Sequence, residues 1–379
     1  MLRHEHERGA MTVHVLHLVT SFDTGGLQTG IVNLVNGSDP SRLRHTVLSM
    51  RRKLLSADRL ARGTVDSVDL PEGRVPLAYR AIATKIKAHA PDIVHTRNWG
   101  TYPDGVLAAR RAGVRVRIHG HHGKDLQTAN GEPWRRRLIG GLLGLFVTRF
   151  TTLTPSMARE LGRDYFVPIR KISIIPNGVD LRRLEAYGAD PDYRSPFTVV
   201  SVGRLDPVKN LPLLIRAFAG MRTRGPGDRL VIAGEGPERA RLEALISDLC
   251  LGREVLLAGE RRDAPAVIKA ADVYVQPSFY EGMSNTIVEA MACGVPVVAT
   301  DVGGNADVAG RDGTAVLVPS DDLPRLTAEL DRLRASVDAR RALGLAGQGF
   351  ALGRYGLDRM IAAYTALYEN AAPGARDGR

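Results

Sequence analysis

The sequence predicts an α/β protein made of two doubly wound domains in tandem, and three observations carry that expectation. Short β-branched runs alternate with helical stretches over nearly the whole chain, the rhythm of parallel strands with helices on both faces. The rhythm breaks once, in a polar stretch holding Gly188, Pro191 and Pro196, and restarts at 197. The length, 379 residues, exceeds what one hydrophobic core usually sustains.

In the first half, strands are expected at 13–20, 45–50, 65–70, 92–96, 114–119 and 150–153, with helices at 26–35, 76–89, 103–112 and 155–162 between them. The second set of strands is expected at 197–203, 230–233, 255–258, 273–276, 296–299 and 315–318. Beyond the last of these, Met360, Ile361, Tyr364, Leu367 and Tyr368 form a helical apolar stripe suited to packing back on the first domain. The expected units are therefore residues 11–190, residues 191–355 and a C-terminal helix at 356–371.

Composition narrows the class. Apolar residues make up 44% and charged residues 25%, an ordinary globular mixture. No apolar run approaches the ~20 residues of a membrane-spanning helix, and the N-terminus is charged from Arg3 to Arg8 where a secretory signal would be apolar. A cytoplasmic protein is expected, with the inner face of the plasma membrane as a location compatible with its charge. Cys250 and Cys293 each sit in an apolar helical pattern, without disulfide or zinc spacing, and read as core residues. Charge is uneven. Residues 1–190 carry 29 Lys and Arg against 17 Asp and Glu, whereas residues 191–379 carry 23 against 24. A basic half suits nucleic acid, an anionic membrane surface or a phosphorylated substrate. With 5% aromatic residues and no nucleic-acid module, nucleic acid is not the expected partner.

Loops after strands hold the chemistry, because ligands in open α/β sheets bind beyond the carboxyl ends of the strands. Gly203-Arg204-Leu-Asp-Pro-Val-Lys209-Asn210 follows a strand and precedes a helix. A guanidinium fork and a mobile ammonium there suit a diphosphate, although two solvated cations would read the same. A second loop, Pro277-Ser278-Phe279-Tyr280-Glu281-Gly282-Met283-Ser284, leads into a helix carrying Glu289. Gly282 permits close backbone approach, Ser284 can cap the helix, and the capped helix offers N–H groups to an anion. Glu289 lies among Ile287, Val288, Ala290 and Met291, so its carboxylate needs a partner. Gly25 and Gly26, with Gly30, join the first strand to its helix but fall short of the dinucleotide fingerprint, which disfavours a dehydrogenase.

Glu281 and Glu289, with seven residues between them, preceded by Pro-Ser and followed by Ala-Met-Ala-Cys-Gly-Val-Pro, resemble the acidic signature of glycosyltransferase family 4. The Gly-Arg-Leu stretch ending in Lys209-Asn210 and the Pro176-Asn177-Gly178-Val179-Asp180 element fit the same family. The resemblance implies the GT-B fold: two Rossmann-like domains facing across a cleft, with the C-terminal helix crossing back to the first. It also implies a retaining, metal-independent hexosyl transfer from a nucleotide-sugar donor to a glycan or polyprenyl-linked acceptor, without a bound cofactor.

Residue roles follow from the same resemblance. Arg204 and Lys209 would hold the diphosphate, Glu289 the ribose, and Glu281 the transferred sugar, helped by Gly282, Met283 and Ser284. Arg261 would lie near the nucleobase, and Gly25 and Gly26 would bring the first domain to the donor. His119 would contact the sugar, with Arg97, Asn98, His122, Lys124 and Asp125 on the acceptor side. The His95-Thr96-Arg97-Asn98 and His119 to Asp125 stretches resemble a bacterial subgroup associated with exopolysaccharide. Three nearby histidines invite a metal, but their spacing matches no common zinc pattern. A nucleotide-sugar epimerase and a sugar phosphorylase share the expected architecture. Finally, Trp134-Arg-Arg-Arg137 ahead of ten uncharged residues reads either as a membrane-surface helix or as a helix packed inside the first domain, the packed reading being favoured.

Overall fold

The computed structural model describes residues 12–23, 25–73, 75–123, 131–311 and 313–373; Lys124 and Asp125 lie outside them. The first domain runs β1 (Val13–Val19), α1 (Gly26–Gly37), β2 (Leu43–Ser49), β3 (Thr64–Ser67), α2 (Ala78–His89), β4 (Ile93–Arg97), α3 (Tyr102–Arg111), β5 (Val116–His121), α4 (Trp134–Gly144), β6 (Arg149–Thr152), α5 (Pro155–Tyr165), β7 (Ile172–Ile174) and α6 (Leu181–Glu185). Its sheet is ordered β3-β2-β1-β4-β5-β6-β7, with every pairing parallel. Strands covered on both faces must be apolar or internally satisfied, and all seven residues of β1 are buried.

The second domain runs β8 (Thr198–Val202), α7 (Leu211–Ala219), β9 (Arg229–Ala233), α8 (Arg239–Asp248), β10 (Val255–Leu257), α9 (Ala264–Lys269), β11 (Val273–Gln276), α10 (Asn285–Ala292), β12 (Val297–Thr300), α11 (Asn305–Ala309), β13 (Val316–Val318), α12 (Leu323–Ala335) and α13 (Val337–Arg354), and α14 (Leu357–Ala371) follows it. The parallel sheet is ordered β10-β9-β8-β11-β12-β13. Alternation divides its side chains between two cores. Val199, Val273, Val275 and Val298 pack under α7 and α12, whereas Val200, Tyr274, Val297 and Ala299 face α9 and α10.

Strand order reverses between β1 and β4 and again between β8 and β11, so each sheet opens a crevice where the loops after those strands diverge. The chain crosses between domains twice, and the crossings touch. Val179 and Gly356 form an isolated parallel bridge, in which the Val179 N–H donates to Tyr355 O (2.8 Å) and the Leu357 N–H to Val179 O (3.2 Å). Gly178 is required there, because a Cβ would stand 2.5 Å from the Leu357 Cα. After the second crossing, α14 lays Met360, Tyr364 and Tyr368 on Val13, Val15, Ile93 and Ile118 of the first sheet.

Ahead of the polar stretch, α6 already docks on the second domain, where Lys269 Nζ donates to Leu184 O (2.6 Å) and Tyr187 O (2.7 Å). Two expectations are corrected. Strand β7 carried no sequence signal, being three residues long and partly exposed. Cys250 is exposed rather than core, in a positive-φ turn after α8.

Candidate active site

Because β8 and β11 are neighbours, the loops leaving them meet although 72 residues separate their key side chains. Lys209 Nζ donates to Glu281 Oε1 (2.5 Å), and that oxygen also accepts from Ser278 Oγ (2.7 Å) and Gln276 Nε2 (2.8 Å). Three donors on one oxygen fix the carboxylate, and among the described residues none is bonded to its other oxygen. Gln276 and Ser278 were not singled out from sequence; their signal was the Gln-Pro-Ser ending of β11. Arg204 pairs instead with Asp206 two residues on, its side chain largely in solvent.

Helix α10 begins at Ser284, whose Oγ accepts from the Ile287 N–H (3.4 Å), and its first N–H groups have no partner within the helix. Helix α1 approaches it closely. A Cβ on Gly26 would lie 3.3 Å from Asn285 Nδ2, and one on Gly30 would lie 3.2 Å from Asn177 Oδ1. Asn177 Nδ2 in turn donates to Asn285 Oδ1 (3.0 Å). The Pro176-Asn177-Gly178 element therefore wedges between two helix N-termini, and Gly25 opens the first of them. Against Gly282 stands the loop after β5, where a Cβ would meet His122 O at 2.7 Å. Met283 is buried, its sulfur 3.3 Å from the Asn177 N–H.

Backbone-to-backbone packing tightens this region at glycines that sequence reasoning missed. Gly303 and Gly304 lie on the carbonyls of Glu281 and Gly282, and Gly234 lies on the carbonyl of Gly203, leaving no room for side chains.

Glu289 and Arg183 line a small cleft of about 50 Å³ with Gly30, Asn177 and Asn285. Burial pushes the Glu289 carboxyl up to about 7, the Arg183 charge offsetting this only in part. A raised carboxyl pKa favours the folded state most below the unfolded value, and that contribution is lost as pH rises through about 7. Glu289→Gln mimics the protonated acid, so it should stabilise the ligand-free protein at pH 8 by about 3 kcal/mol, an order-of-magnitude figure from 1.36 kcal/mol per unit. The stabilisation should vanish near pH 4.5, as read from urea midpoints at the two pH values; equal midpoints for variant and parent at pH 8 would refute the strained acid.

The first-domain histidines depart from expectation. Along β5, Ile118 and Gly120 face α14, whereas His119 and His121 face α3 and α5. His119 is 1% exposed, stacked on Tyr102 (3.9 Å) and hydrogen-bonded to Thr96 Oγ1 (2.9 Å). Its ring is closed off from solvent. Two strand residues more bring the chain to the cleft, where the His122 carbonyl abuts Gly282 while the His122 ring, half-buried, lies over Gly120.

Arg97 is likewise buried, at 3% exposure. Its guanidinium donates to His122 Nε2 (3.2 Å), His17 Nδ1 (3.2 Å), Tyr364 Oη (3.2 Å) and Tyr368 Oη (3.5 Å). No carboxylate pairs with it among the described residues. Asn98, at φ +62, accepts the His122 N–H on Oδ1 (2.9 Å) and so shapes the loop from behind. Arg261 binds Asp263 (2.7 Å) and Asp190 (3.0 Å) and lies over Tyr193, holding the linker to its loop.

Two parallel-sheet Rossmann-like domains, with cationic and acidic loops meeting at their switch points, define a glycosyltransferase of GT-B architecture. Residues 24–183 match the family model described as Glycosyltransferase Family 4, and residues 190–349 match that of Glycosyl transferases group 1. The chain is 28% identical to the putative glycosyltransferase EpsF of Bacillus subtilis, over 76% of this chain and 79% of that one. It is 31% identical to the Escherichia coli UDP-Gal:alpha-D-GlcNAc-diphosphoundecaprenol alpha-1,3-galactosyltransferase, over 65% and 67% respectively. Anabaena HepE, solved with UDP and glucose, superposes with a TM-score of 0.80 at 19% identity, covering 94% of this chain and all of that one (100%). The chain belongs to glycosyltransferase family 4.

Proposed function

We propose that the protein is a retaining hexosyltransferase that moves a sugar from a nucleoside-diphosphate sugar to a glycan or polyprenyl-linked acceptor, in the assembly of exopolysaccharide or another cell-surface polysaccharide. The observation that carries this reading is the Lys209–Glu281 contact beside the α10 N-terminus, opposite α1 and His122. Diphosphate charge suits Lys209 and the helix N–H groups, and Glu289 suits ribose hydroxyls. Glu281, held by three donors, suits a sugar hydroxyl, and His122 approaches the same sugar from the first domain.

In this mechanism the donor binds mainly to the second domain and the acceptor to the first. Closure about the paired crossings at Val179 and Gly356 expels water and strengthens the phosphate contacts. The leaving phosphate accepts the acceptor proton on the face it departs from, so the anomeric configuration is kept. Neither a metal nor a bound cofactor takes part. The polyprenyl-linked acceptor draws support from the Escherichia coli relative, named for a diphosphoundecaprenol acceptor, and a uridine diphosphate donor from the ligand of HepE.

The test begins with thermal stabilisation by UDP, GDP, ADP and their sugars, where a cognate ligand at a hundredfold excess over Kd contributes about 2.7 kcal/mol. The cognate donor is then supplied with acceptors, and the product's anomeric configuration is read by NMR with and without EDTA. A retained configuration at undiminished rate in EDTA is expected. An inverted product, a phosphate requirement, or an isomerised sugar formed without acceptor would each replace the proposal.

A further inference from the structure

Eight of the 17 exposed large apolar side chains among the described residues fall between 134 and 174, a concentration unlike the scatter normal on a protein surface. Helix α4 shows why. Trp134, Leu138, Leu142 and Leu145, at helical spacing, form one solvent-facing stripe, while Gly140 and Leu143 on the opposite side are buried. Gly140 lies on the Tyr165 ring, and a Cβ on Gly141 would come within 3.4 Å of the Phe166 ring, so exposed Phe166 extends the stripe sideways. Lys171 Nζ donates to Gly144 O (3.2 Å) and Val147 O (3.0 Å), holding the next turn against the end of α4, where Ile169 is 71% exposed.

The rim of this face is basic. Residues 131–175 hold eight Lys and Arg against three Asp and Glu. Arg135 lies over Trp134, Arg137 lies over Phe166, and Arg170 adjoins Ile169. Neither Arg135 nor Arg170 has a carboxylate partner among the described residues. The favoured sequence reading, a helix packed inside the domain, thus holds for one side of α4 only.

We propose that this face docks the first domain on an anionic lipid bilayer, Trp134, Leu138, Leu142, Leu145, Phe166 and Ile169 entering the headgroup boundary while the arginines meet lipid phosphates. Charge selects this occupant. A second copy joined by two-fold symmetry would set arginines against arginines, and nucleic acid has no use for the apolar centre. No described helix is long and apolar enough to cross a membrane, so the contact is interfacial. Its position deepens the acceptor reading above, on which only this last step rests: Tyr165, beneath the stripe, meets the His121 ring (6.4 Å) and stacks on Trp99 (5.7 Å). One side chain therefore separates the docking face from the strand leading to His122, where the head of a lipid-linked acceptor would arrive.

The experiment uses the full chain without donor or acceptor, so its outcome is independent of the transferase chemistry. Co-sedimentation is measured with vesicles of phosphatidylcholine alone and mixed with phosphatidylglycerol. Binding to the mixed vesicles, weakened by salt, is expected. The chain has two tryptophans, and brominated phosphatidylglycerol should quench emission in the parent but not in Trp134→Phe. Leu138→Ser with Leu142→Ser, or Arg135→Gln with Arg170→Gln, should each lower partitioning about tenfold or more at unchanged Tm. The proposal is overturned by absence of binding, by equal quenching in Trp134→Phe, or by a solution dimer that the leucine pair dissociates.

Discussion

Replacing Lys209 by Ala should lower kcat/KM about 100- to 1,000-fold while leaving the fold in place. The size follows from removing one preorganised donor to charge that grows on a leaving group. The fold should survive because Glu281 keeps Ser278 and Gln276 as donors when the ammonium goes, so no carboxylate is stranded. Arg204→Ala should cost less than Lys209→Ala, since its guanidinium starts in solvent on Asp206 and must reorganise to reach a phosphate. Steady-state kinetics with the cognate donor, alongside Tm for each variant, separates these effects. Unchanged kcat/KM in Lys209→Ala would remove the ammonium from the mechanism, and a collapsed Tm would make the Glu281 contact a structural one.

What the sequence made legible was periodic or anchored by residue type. Alternating apolar runs located twelve of the 13 strands to within a few residues, and the Pro-Ser to Glu289 run named the loop that β11 carries. Parity was the weak point. Strand β5 was expected to end at 119 rather than at His121, and the role of His119 came from the family resemblance; only the observed register shows its ring walled in by Tyr102 and Phe150. The acceptor-side place of Arg97 came from the family resemblance alone; its partners come from β1, the residue after β5 and α14, up to 271 residues away, and no local pattern reveals them. Gly234, Gly303 and Gly304 were passed over for a similar reason, since their necessity lies in which other backbone passes by. The solvent side of α4 was misjudged because apolar composition says how much of a helix wants to leave water, not what covers it.

Acidification should unfold the first domain well before the second. His17, His45, His95 and His119 are buried there, and each holds its pKa below the ordinary value, His45 at about 4. Burial is the main cause throughout. The Arg97 charge comes next for His17, His45 and His95, which surround it, and His121 comes next for His119. A depressed histidine stays neutral in the native state and takes a proton on unfolding, so its contribution is intact above about 6.5 and lost as pH falls. At pH 5 the loss approaches about 2 kcal/mol for each histidine still neutral in the fold, and a few such groups together rival a typical total stability of about 5–15 kcal/mol. Asp66, held down at about 2 chiefly through Lys85 and His89 despite its burial, does not titrate in the native state over that range and cannot mimic the effect. Glu289 works in the other direction, its neutral form favoured by the fold, so α10 gains as the His17 and His95 region loses. Amide exchange followed from pH 7 to pH 5, corrected for intrinsic rates, should therefore show protection collapsing in β1, β4 and α14 while α10 holds or improves. A uniform loss across both domains, or no loss at all, would mean that these imidazoles accept protons within the native fold and that Arg97 is not the lone charge around which that core is closed.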